Sequence, residues 1–121
     1  MSRRIALLVA GMTGFLGIAL GAFGAHALKA VLELHHTKDL WNTAVLYHLV
    51  HTPVLLWLVR NESFCALPFL SFSLGILLFS GSLYALALSG IAWLGVITPI
   101  GGLLLMLGWV LIVGSAFRSN S

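Results

Sequence analysis

Long apolar stretches separated by short polar ones set the pattern of this chain. The runs extend from Ile5 to Leu28, Leu40 to Val59, Phe64 to about Gly90, and Trp93 to Phe117. At ~1.5 Å of rise per residue each can cross ~30 Å of hydrocarbon, so four transmembrane helices are predicted, at about 5–28, 40–59, 64–90 and 93–117. Hydrocarbon offers no water to satisfy backbone groups, and runs of this length therefore read as helix rather than sheet. The expected fold class is all-α: a polytopic membrane protein whose four spans form one compact bundle over residues 1–121. No internal repeat is evident and no linker divides the chain.

The longest non-spanning piece is LKAVLELHHTKDL, residues 28–40. Leu28, Val31, Leu32 and His35 follow helical spacing, which predicts a short amphipathic helix at the membrane interface between the first two spans. Thr37 or Asp39 is placed to cap the second span. His35 and His36 read as solvated, because adjacent histidines do not share a helix face and make a poor metal pair. The N-terminal SRRIALLVAG followed by Ala25-His26-Ala27 imitates a signal peptide. Its apolar run is too long for one, which predicts an uncleaved first span.

Composition agrees with this reading: 60% of residues are hydrophobic, 7% are charged, and the mean hydropathy is +1.10. The net charge of +3 comes from Lys and Arg scattered at the ends of apolar runs. That is a pattern of membrane orientation, and nucleic acid is not an expected partner. Arg3, Arg4, Arg60 and Arg118 fall on one side of the four spans, against Lys29 and Lys38 on the other. The positive-inside rule then puts both termini in the cytoplasm, of a bacterial inner membrane or, in a eukaryote, beside a mitochondrial membrane. Trp41 and Trp93 at the outer ends, with Trp57 and Trp109 near the inner ends, read as two interfacial belts. Packing of Trp109 in the core is the alternative. Cys65 is alone and reads as a packed membrane cysteine.

Small residues mark the first span. Gly14, Gly17, Gly21 and Gly24 lie at spacings of three and four, a stripe on which a second helix can approach closely, inside the bundle or between protomers. Polar residues of the spans, among them His26, Tyr47, His48, His51, Ser80, Tyr84 and Thr98, are expected to gather in the outer half as a cluster or shallow outward cavity. Pro53 frees the Leu49 carbonyl and predicts a kink. Three readings of His48 and His51 compete: interhelical hydrogen-bonded ties, a proton or small-ligand site, and metal or haem ligation with His26. A relay usually has an acidic partner, and Glu33, Asp39 and Glu62 lie outside the spans. No Cys, Asp or Glu joins the histidines at ligand spacing, so no metal and no cofactor are expected. Ser80 in FSGSL does not match G-x-S-x-G, and no enzymatic activity is expected.

Taken in order, GAFGAHALK (21–29), the run from Trp41 through TAVLYHLVHT (43–52), FSGSLYALALSG (79–90) and TPIGG followed by GW (98–109) resemble the membrane family called domain of unknown function 423. That family includes small bacterial proteins and eukaryotic transmembrane protein 256. The resemblance covers nearly the whole chain and implies an integral protein of about four helices with no established activity. In the family's motif glutamine commonly stands where this chain has His48, whereas His51 and His26 match. Glutamine replaces a hydrogen-bonding histidine but ligates transition metals poorly, so the resemblance argues against metal at position 48. It leaves His26, His51, Tyr84 and Thr98 as the best candidates for a site.

The expected function is a non-enzymatic structural or interaction component of the membrane, surrounded by lipid and packing as a homo-oligomer or as a subunit of a larger complex. The alternative is a small transporter or lipophile-binding protein with an outward polar pocket containing His51.

Overall fold

The structure, a computed structural model, describes residues 1–118. Its elements are α1 (Arg3–Ala25), α2 (Lys29–Leu34), α3 (Lys38–Arg60), α4 (Ala66–Ser89), a 3-10 turn (Ala92–Val96) and α5 (Thr98–Arg118). Among the described residues there is no strand. The four long helices are each long and apolar enough to cross a membrane.

Local chemistry sets the helix ends. The Ser2 hydroxyl accepts the Ile5 N–H at 3.2 Å and starts α1 two residues before the apolar run does. The chain turns out of α1 at Ala25, three residues earlier than expected, when the Leu28 N–H folds back to the Phe23 carbonyl at 2.8 Å. His36, at φ 54°, stops the short α2, and Gly90, at φ 71°, stops α4. The left-handed conformation at Gly90 suits a residue without Cβ. Pro99 sits in the first turn of α5, where its missing N–H costs nothing.

Packing follows the chain: α1 lies along α3, α3 along α4, and α4 along α5. The half of the core nearer the termini joins Ala6 and Ala10 of α1, Leu55 and Leu58 of α3, Phe69 and Phe72 of α4, and Leu105 of α5. At the opposite end Leu32 of α2 meets Trp41 of α3 and Ala87 of α4. The amphipathic segment is therefore shorter than expected and tucks its buried leucine into the bundle end. Large apolar side chains such as Phe15, Ile18, Leu103, Met106 and Val110 remain exposed on the outer faces of α1 and α5. Such faces are stable only against lipid or other helices.

The glycine stripe of α1 faces α3. A Cβ at Gly14 would touch Thr52, one at Gly21 would touch Val45, and one at Gly17 would lie 2.5 Å from Leu49 Cδ2. A second small-residue contact joins α4 and α5. There Gly101 lies against the backbone of Leu78 and Phe79, Gly75 against Leu105, and Gly108 against the Phe72 ring.

Two readings of the sequence are corrected. Trp41 is not a belt residue: it is 1% exposed, and its indole N–H donates to the Leu20 carbonyl at 3.0 Å. The open ring position opposite Gly24 draws it inward, since any side chain there would meet the indole. Thr37 precedes α3 but does not cap it with its side chain. Its hydroxyl instead donates to the Ala87 carbonyl at 2.7 Å, satisfying one of the orphan acceptors in the last turn of α4.

Candidate functional site

Polar side chains lie between the two apolar clusters, and each is placed by the helix that carries it. His48 is near the middle of α3 and points between α1 and α4. Its Nε2 lies 2.7 Å from the Thr13 carbonyl and its Nδ1 lies 2.9 Å from the Tyr84 hydroxyl. A carbonyl only accepts, so neutral His48 carries its proton on Nε2, and Tyr84 O–H donates to Nδ1. Helical side chains lean toward the N-terminus, which lets Tyr84 reach down α4 to this level.

His51, one turn further along α3, points toward α5. Its Nδ1 lies 2.7 Å from the Tyr47 carbonyl of its own helix, and its Nε2 accepts the Trp109 indole N–H at 3.2 Å. The same argument gives neutral His51 the opposite tautomer, protonated on Nδ1. Phe72 and Trp109 border its ring at centroid distances of 5.7 and 5.9 Å. All four ring nitrogens of the two histidines are thus engaged with protein groups.

Pro53 adds to this layer. The helix continues through it, and the carbonyls just before the gap accept from side chains: Tyr47 from His51, and His48 from the Thr52 hydroxyl at 2.8 Å. Three further ties link neighbouring helices. Ser80 donates to the Ala44 carbonyl at 2.7 Å, Ser71 to the Leu104 carbonyl at 2.7 Å, and Thr98 meets Ser82 at 2.6 Å. Because Ser82 spends its proton on the Phe79 carbonyl, Thr98 is the donor in that last pair.

A common device makes these carbonyls reachable. An α-helical carbonyl is already bonded to the N–H four residues on and is shielded by the side chain there. At three of the acceptors that residue is glycine: Gly17 after Thr13, Gly24 after Leu20, and Gly108 after Leu104. At Gly17 and Gly24 a Cβ would meet the donor's own ring, His48 and Trp41, whereas at Gly108 it would meet the Phe72 ring beside Ser71.

The expected site residues therefore do not form one cluster. His48 with Tyr84, His51 with Tyr47, and Ser82 with Thr98 are three separate contacts, and Ser80 bonds backbone only. His26 is exposed beyond the end of α1 and joins none of them. Ser80, Tyr84 and Thr98 lie in the half of the bundle away from the termini, His48 and His51 occupy the middle turns of α3, and Ser71 adds a tie nearer the termini. Sequence reasoning missed Thr13, Ser71 and the hydrogen-bonding role of Trp109. The spacing of Gly101 and Gly108 in α5 was the available signal for the α4 contact.

Beside His48 a groove of about 370 Å³ runs between α1 and α4. Leu16, Leu74 and Leu77 on its rim are exposed, so it opens sideways, where the bilayer would lie, rather than outward. Within its lining the Ser73 hydroxyl is buried and has no hydrogen-bond partner among the described residues. His51 does not line this groove.

The model of the family described as Protein of unknown function (DUF423) matches residues 20–102. The chain is 41% identical over 95% of its length, and 95% of the relative's, to a UPF0382 membrane protein of Haemophilus influenzae. It is 37% identical to the UPF0382 inner membrane protein YgdD of Escherichia coli K12, over 98% of this chain and 93% of that one. To the UPF0382 membrane protein YwdK of Bacillus subtilis it is 34% identical, over 95% and 98%. No solved structure matches.

Proposed function

The chain belongs to the DUF423 family of membrane proteins, and from that premise we propose that it is a non-enzymatic component that works by packing, with itself or within a larger membrane complex. The observation that carries this reading is the use made of its polar groups. His48, Trp41, Trp109, Ser71 and Ser80 each bond a carbonyl or a ring nitrogen on a neighbouring helix, a use suited to holding a bundle rigid. The exposed apolar faces of α1 and α5 are the surfaces offered to neighbours. Both termini and the α3–α4 loop face the cytoplasm in this proposal, on the charge balance of Arg3, Arg4, Arg60 and Arg118 against Lys29 and Lys38. The test is purification from native membrane into lipid discs without detergent, followed by mass determination. A defined homo-oligomer or a stoichiometric protein partner supports the reading, and a bare monomer refutes it.

One observation favours a second reading, a lipophile-binding protein. The lateral groove is large enough for a small ligand and carries a few polar groups in an apolar wall. In that reading His48, not His51, is the histidine at the site.

A further inference from the structure

A small cavity opens at the end of the bundle away from the termini, separate from the α1–α4 groove. It measures about 190 Å³ and lies where the last turn of α1, the short α2 and the first turns of α3 come together. Gly24, Ala25 and Leu32 supply small and apolar parts of its wall, and Lys29, Lys38 and Asn42 are its polar side chains. All three polar residues are exposed, so a ligand at the membrane surface reaches them directly.

Two features of this wall define a ligand. The first is unbalanced positive charge. Glu33 and Asp39 do not line the cavity, and neither lysine forms an ion pair among the described residues. Two ammonium groups and a carboxamide beside one cavity suit an anion with more acceptor oxygens than a carboxylate has, and phosphate is that anion. The second feature is the end of α1. The His26 and Leu28 N–H groups both return to the Phe23 carbonyl and the Lys29 N–H to that of His26, which leaves the Gly24 and Ala25 carbonyls without a backbone donor. Such carbonyls carry the negative end of the helix dipole, which disfavours a bare anion and favours a donor. A phosphate ester with a hydroxyl or ammonium group a few bonds away satisfies both features. Depth selects the source: Lys29 shortly follows the end of one membrane-spanning helix and Lys38 begins another, at the level of lipid headgroups. We propose that this cavity binds a phosphate ester bearing a hydrogen-bond donor, as in a phosphoglycerol or phosphoethanolamine headgroup, with its phosphate on Lys29, Lys38 and Asn42 and its donor on the end of α1. The site goes beyond the packing role and beyond the groove beside His48, neither of which uses these residues.

The test places the full chain in lipid discs of phosphatidylcholine, phosphatidylethanolamine and phosphatidylglycerol in equal amounts, and identifies by native mass spectrometry the lipid that stays bound on release. Retention of phosphatidylglycerol or phosphatidylethanolamine is expected in preference to phosphatidylcholine, whose trimethylammonium has no N–H to donate. Retention should fall about tenfold in the double variant Lys29→Gln with Lys38→Gln, the effect of one lost charge-assisted hydrogen bond. Ala25→Glu, which adds a carboxylate at an exposed position of the wall, should abolish it. Arg4→Gln, at the other end of the bundle, should leave it unchanged. Glycerol phosphate added to discs of phosphatidylcholine alone separates the sources: saturable binding that the double variant removes, with no lipid retained from the mixture, upholds the phosphate-ester chemistry and assigns it to a soluble ligand. Equal retention of phosphatidylcholine overturns the ligand class. Retention indifferent to the two lysines, or lost as much in Arg4→Gln, overturns the site.

Discussion

Removing His48 separates a tie from an inert core residue. His48→Leu keeps much of the volume but deletes two hydrogen bonds, to Thr13 at 2.7 Å and from Tyr84 at 2.9 Å. Interhelical hydrogen bonds in membranes average about 0.6 kcal/mol and reach about 1.7, so the pair is worth about 1.2 kcal/mol at the average. The Tyr84 hydroxyl, left without its acceptor, adds a desolvation cost of about 1 kcal/mol or more. A total loss near 2 kcal/mol is expected. His48→Gln keeps a donor and an acceptor on one planar group and should lose less than about 1 kcal/mol. Reversible unfolding in bicelles measures both. A double-mutant cycle of His48→Leu with Tyr84→Phe should give a coupling of about 0.6 kcal/mol or more. Zero coupling, or His48→Leu matching His48→Gln, would refute the tie.

Gly101→Ala presses a methyl into the backbone at Leu78 and Phe79, neither of which can rotate away, and should cost about 2 kcal/mol or more in the same unfolding assay. Gly11→Ala meets nothing within 4 Å and should be neutral or stabilising by up to about 1 kcal/mol, so equal effects at the two glycines would discredit the close α4–α5 contact. Trp109→Phe deletes the N–H donated to His51 and should lose about 0.6 kcal/mol, with a clearly non-additive response when combined with His51→Leu; additive losses would disconnect the two rings. In a Cys65→Ser background, a cysteine at Lys38 should react with an impermeant thiol reagent from outside intact cells and one at Glu62 only after permeabilisation, and the reverse pattern would invert the proposed sidedness.

Four spans were legible because hydrocarbon demands about 20 apolar residues per crossing and tolerates charge only at the ends. The stripe from Gly14 to Gly24 was legible as a contact face, since helical spacing alone puts those residues on one side of α1. What stayed hidden was the partner of each face. In a soluble bundle the polar side of a helix points outward and the apolar side inward, but here nearly every face is apolar, so periodicity does not say which neighbour a residue meets. His48 and His51 are three apart and share a face by spacing, yet α1 beside α3 draws one ring to Thr13, and α5 draws the other to Trp109. Trp41 was readable as an interfacial anchor until Gly24, on another helix, made room for its indole. The groove beside His48 likewise appears only in the packed bundle, where residues of α1 and α4 line its walls. Chain chemistry determined that helices cross and which donors they carry; the tertiary packing decided where each donor ends, because the acceptor of an interhelical bond is set by which backbone lies beside the donor, past a glycine at Thr13 and Leu20 and without one at Ala44.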